Sequence, residues 1–215
     1  MGQSRYIAIE GPIGVGKTSL ARRLSEALDA ELVLEEADSN PFLERFYQDP
    51  RGAALPTQLF FMFQRVRQLE QLSQADMFSD TRVSDFLMAK DRLFAEVNLD
   101  KDELVLYQQI FDKLDFHPQP PDLVVYLQAP VDTLLFRIAR RGIDFEKKIS
   151  RRYLEQLADV YAKYFHQYNE SPLLIVNAAT IDPVSNEEHF IMLLDEIKNT
   201  RSGRQFFNPL ISALA

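Results

Sequence analysis

Cysteine is absent from the 215-residue chain. That excludes disulfides, thiolate nucleophiles and sulfur-based zinc sites. No apolar run approaches the roughly 20 residues that span a bilayer. The N-terminus lacks the basic-then-apolar build of a secretion signal, and the apolar stretch Tyr6–Glu10 is too short to be one. Surplus positive charge is also missing: 24 Lys and Arg stand against 32 Asp and Glu, for a formal charge of −8 and a pI of about 5.0. Nothing in that balance suits a nucleic-acid polyanion. A small anionic ligand stays compatible, because local positive charge can sit inside an acidic protein. With 46% hydrophobic and 26% charged residues, the chain can bury a core and remain in solution. The expectation is a soluble, cytoplasmic protein with neither membrane nor nucleic acid among its partners.

Low-complexity tracts, internal repeats and linkers are missing too. What is present is alternation. Tyr6–Glu10 reads as a strand, Lys17–Leu28 as a helix and Glu31–Glu36 as a second strand. An Asn-Pro helix start opens "NPFLERFYQDP", and "LPTQLFFMFQRVRQLEQLSQ" has apolar residues at helical spacing. Thr81–Asp85 is a short strand, with helices over Lys90–Asn98 and Lys101–Leu114. "PPDLVVYLQAP" is a buried strand bounded by prolines. Helices over Pro130–Arg141 and Arg151–Tyr168 flank a break at Gly142. "SPLLIVNA" reads as the last strand and Asn186–Lys198 as the last helix. Strands alternating with long crossovers imply an α/β protein with a parallel sheet covered on both faces. We expect one domain over residues 1–199, with a lid at about 140–150 and a tail from 200 to 215 of unclear role.

The strongest signal is "GPIGVGKTS". Gly11, Gly16, Lys17 and Thr18 satisfy G-x-x-x-x-G-K-[ST] between a strand and a helix. Gly11, Pro12, Ile13, Gly14, Val15, Gly16, Lys17, Thr18 and Ser19 are therefore expected to cradle the phosphates of ATP. Glycines let backbone N–H groups turn inward, and the helix N-terminus adds a favourable dipole. Lys17 would reach the β- and γ-phosphates and Thr18 would ligate Mg²⁺. Such a loop serves GTPases, motor ATPases and small-molecule kinases alike. No Asn-Lys-x-Asp base-reading motif is present, and "DLVVYLQAP" lacks the terminal acid pair of motor ATPases. Acids stand instead at other strand ends: Glu35 and Glu36 after the second strand, Asp85 after the third. In an open α/β sheet ligands lie at the carboxyl ends of the strands, where acids suit a general base and a metal ligand. Arg137, Arg140 and Arg141 run into a glycine-interrupted loop that could close over the phosphates.

"YIAIEGPIGVGKTSLA", "LEEADSNPFLERFYQDP", "LPTQLFFMFQ", "DFLMAKDRLFA", the arginine lid and "RRYLEQLADVYAKYF" together resemble the deoxynucleoside kinases, in particular their bacterial deoxyadenosine/deoxyguanosine branch. The likeness covers roughly residues 5–178. It implies the P-loop NTPase fold with a five-stranded parallel sheet, a homodimer, and transfer of the ATP γ-phosphate to the 5′-hydroxyl of a deoxynucleoside, a purine one by that branch. It further implies Glu36 as the base, with Glu35 as a neighbouring candidate because the usual Glu-Pro is Glu36-Ala37 here. Tyr47 and Glu146 would hold the sugar 3′-hydroxyl, and Gln58 would read the base. Arg137 and Arg141 would neutralise charge on the transferred group.

Two positions depart from the family's pattern. Phe86 stands where an arginine follows the third-strand acid, so Asp85 can serve as the acid while the positive charge must come from Lys90 or Arg92. Alternatively, Asp91-Arg92 matches the family's Asp-Arg that contacts the base. Ile143 stands where the lid often has a second arginine. Two other functions share the loop: a thymidylate-kinase-like nucleoside monophosphate kinase, for which Asp91-Arg92-Leu93 is a partial echo, and a catalytically weakened nucleotide-sensing module.

Overall fold

A strand that is apolar on both faces must be covered on both, and Leu123–Gln128 is of that kind, with five of its six residues buried. In the computed structural model, which describes residues 5–74 and 81–209, it lies inside a parallel sheet between two helical layers. The chain begins with β1 (Arg5–Glu10), α1 (Lys17–Leu28) and β2 (Glu31–Val33). A 3-10 turn at Ala37–Ser39 leads to α2 (Leu43–Gln48) and the long α3 (Pro50–Gln74), followed by β3 (Thr81–Ser84). Then come α4 (Ala89–Asn98), α5 (Lys101–Lys113), β4 (Leu123–Gln128) and α6 (Val131–Arg141). A second 3-10 turn, Phe145–Lys148, precedes α7 (Arg151–Gln167), β5 (Leu173–Asn177), α8 (Glu187–Asn199) and β6 (Arg204–Phe207).

The strand order is β2-β3-β1-β4-β5-β6, parallel throughout. From β1 the chain crosses to one side and later to the other. The turn after β1 therefore lies where the order reverses, the place where such sheets open a ligand crevice. Alternation along β1 divides the core. Ile7 and Ile9 pack with Leu20, Leu24 and Leu193 of α1 and α8, whereas Ala8 faces Tyr161 and Phe165 of α7. A third apolar cluster, with Phe46, Met62, Phe86 and Tyr107, ties α2, α3 and α5 to the segment after β3. Local signals set the helix starts: Asp100 and Glu103 form a capping box on α5, and Ser150 caps α7.

Three expectations are corrected. Among the described residues the sheet has six strands, not five, because Arg204–Phe207 of the tail pairs with β5 along Leu173–Val176. β2 stops at Val33 rather than Glu36, since only Glu31–Val33 pair with β3. The long helix starts at Pro50, not near Leu55, and carries Pro56 in its second turn. Among the described residues no helix is long and apolar enough to cross a membrane.

Candidate active site

Gly11, Gly14 and Gly16 all adopt positive φ, at 146°, 82° and 106°. A β-carbon at Gly11 would stand 2.5 Å from the Leu127 carbonyl oxygen, and one at Gly14 would meet Ile138 at 2.8 Å. Both positions need glycine for space as well as conformation. Lys17 Nζ donates to the Gly11 and Pro12 carbonyls at 2.8 and 3.2 Å, so the loop winds around its own lysine at the N-terminus of α1. Burial, helped by repulsion from Lys90, lowers the Lys17 ammonium to about 8. Arg137 braces the loop from behind, donating to the Val15 carbonyl at 3.1 Å and the Ala178 carbonyl at 2.8 Å.

Two chambers open on either side of Lys17. Residues Gly14 to Leu20, the arginines 137, 140 and 141, and the turn from Ile181 to Val184 line the first. The second is lined by Glu35, Tyr47, Gln58, Arg65, Asp85, Lys90 and Glu146, with Phe61 and Phe94 as apolar walls. Gly14, Lys17, Thr18 and Arg141 border both.

Asp85 joins the phosphate loop to the second chamber. Its Oδ2 accepts from the Thr18 hydroxyl at 2.5 Å, and its Oδ1 accepts from the Glu35 backbone N–H at 2.7 Å. Glu35 Oε1 accepts from Arg65 Nε and Nη2 at 2.9 and 2.5 Å, while Oε2 accepts from Lys90 Nζ. Burial pushes the Glu35 carboxyl up, but Lys90 and Arg65 outweigh it and hold the group at about 2. Arg65 also pairs with Asp91, whose Oδ2 accepts from the Tyr107 hydroxyl at 2.5 Å. Gln58 Nε2 donates to the Asp91 carbonyl at 2.7 Å and to Asp91 Oδ1 at 2.9 Å. Both partners are acceptors only, which fixes the amide and leaves Gln58 Oε1 as the acceptor it can offer a ligand. On the lid side, Tyr47 stacks on Phe145 at 5.8 Å and 14°, and Glu146 pairs with Arg141 at 2.6 Å.

The oxygens of Thr18, which borders both chambers, and of Asp85, in the second, are hard donors of the kind a Mg²⁺ shares with phosphates and water. Among the described residues there is no group of three or more His, Cys, Asp or Glu that could hold a metal unaided. The residues present therefore fit a metal that arrives with a nucleotide.

Several expected residues lie elsewhere. Glu36 is exposed and lines an outer groove with Arg22, Gln64 and Gln68. Of the two, it is Glu35 that faces the loop, held by its backbone N–H on Asp85 and by Arg65 and Lys90 on its carboxylate. Arg92 is also turned to solvent, pairing with Glu96 at 3.5 Å. Lys90 and Phe94, four residues apart on α4, take the inner face instead. Arg92→Ala is accordingly expected to leave turnover and KM within about twofold of wild type, as for an exposed side chain outside the chemistry; steady-state kinetics checks it. Asp91 is fully buried beneath Gln58 and Arg65 rather than lining the cleft. Of the phenylalanines near Gln58, Phe61 lines the chamber, whereas Phe60 borders the outer groove and Phe63 is exposed. Phe86 is wholly buried in the core. Arg65 went unpredicted, although Gln58, Phe61 and Arg65 follow helical spacing on α3 and so share one face.

A phosphate loop whose lysine serves two chambers, one on the arginine side and one lined by polar groups and aromatic walls, defines a P-loop phosphotransferase. The family model described as deoxynucleoside kinase matches residues 7–201. The chain belongs to this family of ATP-dependent kinases of deoxynucleosides. It is 34% identical over 203 residues to the deoxyguanosine kinase of Bacillus subtilis, covering 92% of this chain and 98% of that enzyme. With the deoxyadenosine kinase of Lactobacillus acidophilus it shares 31% over 207 residues, covering 90% and 94%. A solved structure of deoxyadenosine kinase from M. mycoides, with the products dCMP and a flexible dCDP bound, superposes with a TM-score of 0.79 at 25% identity, covering 90% of this chain and 98% of that one.

Proposed function

We propose that the protein phosphorylates the 5′-hydroxyl of a purine deoxynucleoside, deoxyadenosine or deoxyguanosine, with ATP in the first chamber and the nucleoside in the second. The observation that carries this reading is the junction of the two chambers at Lys17, Thr18 and Arg141. A γ-phosphoryl group placed there is within reach of both sides, and its transfer is chiefly a matter of positioning and charge. The phosphate loop and Arg137 hold the donor. Lys17 and Arg141 offset the charge that develops on the transferred group. Mg²⁺ bound with ATP at Thr18 and Asp85 would neutralise phosphate oxygens.

Glu35, not Glu36, is assigned as the base that takes the 5′-hydroxyl proton, because of these two neighbours it is the one inside the acceptor chamber. Tyr47 and Glu146 approach from α2 and the lid, and are assigned to the sugar 3′-hydroxyl. Gln58 Oε1 accepts from an amino or imino group of the base, while the remaining N–H groups of Arg65 can donate to a ring nitrogen or carbonyl. Both purines present such donor and acceptor edges, and the relatives' names match that choice. The reaction suits cytoplasmic nucleotide salvage. Homodimerisation is assigned to α3 and α5, which leave Phe63, Val105 and Leu106 exposed; sedimentation would report it.

Release of ADP with each of the four deoxynucleosides and with dTMP tests the reading. Turnover with deoxyadenosine or deoxyguanosine is expected, with none on dTMP. Turnover confined to pyrimidine nucleosides would overturn the base assignment, and turnover on dTMP would point to a monophosphate kinase.

A further inference from the structure

Two cations hold Glu35, and they differ in freedom. Arg65 is fixed at both ends. Its Nε and Nη2 sit on Glu35 Oε1, and its Nη1 sits on Asp91, which Tyr107 and Gln58 hold in turn. Lys90 has three donors but a single hydrogen-bond partner among the described residues, Glu35 Oε2, with the Phe94 ring 5.7 Å away. Its side chain is 7% exposed, and it lines the acceptor chamber beside Lys17, Thr18 and Asp85. Lys90 and Lys17 repel each other across this space. Like charges converge in a cleft at a cost that an incoming anion removes. Phe86 cannot contribute charge, and Arg92 faces away.

Resting on the donor and acceptor assignments above, we propose that Lys90 is a catalytic lysine that exchanges partners. In the resting cleft it occupies Glu35 Oε2. With both substrates bound it leaves that oxygen to the nucleoside 5′-hydroxyl and turns to the phosphoryl group in transfer, opposite Lys17. The hydroxyl O–H bond breaks with its proton going to Glu35, the new O–P bond forms, and the bond between the γ-phosphorus and the β–γ bridging oxygen breaks to release ADP. Lys90 neither gains nor loses a proton. It neutralises charge at the oxygens of the moving group, and its departure frees the base.

Lys90→Met in the full-length chain is expected to lower kcat by about 10²–10³-fold, the usual cost of one preorganised donor at a developing charge. KM for the deoxynucleoside should stay within about threefold of wild type, because an interaction confined to the transition state leaves ground-state binding intact. A residue acting only through Glu35 would behave differently in a second comparison, Glu35→Gln against Glu35→Gln/Lys90→Met. The double variant also removes both charges of the buried pair, so folding does not depend on an unpaired ion. A further loss of about tenfold or more in kcat, read with radiolabelled ATP, is expected. Equal kcat in these two variants, or a Lys90→Met effect confined to KM, overturns the proposal. If the wild-type chain releases no ADP with any deoxynucleoside, the assignment of the acceptor fails first and takes this role with it.

Discussion

Glu35→Gln is expected to lower kcat by about 10²–10⁴-fold, while Glu36→Gln stays close to wild type. Glutamine preserves the shape of the side chain and its single oxygen can still accept from Arg65, but its amide nitrogen takes the place of the oxygen that accepts from Lys90 and it cannot take a proton. The carboxylate it replaces is the one acid in the acceptor chamber besides Asp85 and Glu146. Asp85 is occupied on both oxygens by Thr18 and the Glu35 N–H, and Glu146 pairs with Arg141. Held at about 2 by Lys90 and Arg65, Glu35 is ionised throughout the neutral range, so its competence depends on which donors surround it. Removing its charge leaves Arg65 still neutralised by Asp91, which limits the structural damage; a thermal melt alongside the kinetics separates misfolding from lost chemistry. A folded Glu35→Gln enzyme with wild-type kcat would remove the residue from the reaction. Loss in Glu36→Gln alone would return the role to the exposed neighbour and require the chain after β2 to turn over in the working enzyme.

What the sequence displays here is what local geometry dictates. The phosphate loop is legible because its glycines, lysine and threonine lie within eight consecutive residues, Gly11 to Thr18, whose spacing alone makes an anion cradle. Tyr47, Gln58 and Glu146, drawn from resemblance, are brought to one chamber by α2, α3 and the lid. The choice between Glu35 and Glu36 was not legible, because it depends on where β2 stops. That end is set by pairing with β3 and by the bond from the Glu35 N–H to Asp85, 50 residues away. Likewise Asp91-Arg92 reads as a match to the family's base-contacting Asp-Arg until α4 is placed. Its packing then turns Lys90 inward and Arg92 out, and buries Asp91 under Arg65. The sixth strand escaped for a similar reason: "RQFF" is four residues long, and only its partner β5 makes it a strand. These three misses concern partners distant in sequence, where periodicity carries no information.

Lys17→Met is expected to reduce kcat/KM for ATP by at least about 10³-fold, since the variant loses the only cation belonging to the loop, at the point where both chambers meet. Methionine keeps most of the length and apolar stem, so the glycine conformations that shape the loop have no reason to change. The resting fold supplies an independent signature. Burial, with Lys90 adding to it, lowers the Lys17 ammonium from 10.5 to about 8, so the folded state holds this proton less tightly than the unfolded chain does. Between those values the unfolded state binds more protons, and the contribution of Lys17 to stability rises with pH. Below about 8 wild type bears the full cost of a buried ammonium, and above 10.5 it bears none. The stability of Lys17→Met relative to wild type should therefore decline as pH climbs through that interval, measured by chemical denaturation without nucleotide. Subtracting the two curves cancels the tyrosines and other groups that titrate in the same range. A flat difference would mean that Lys17 is solvated in the resting loop. A collapse of activity with that slope present would show a lysine whose burial destabilises the empty enzyme and whose charge the phosphate of the bound donor requires.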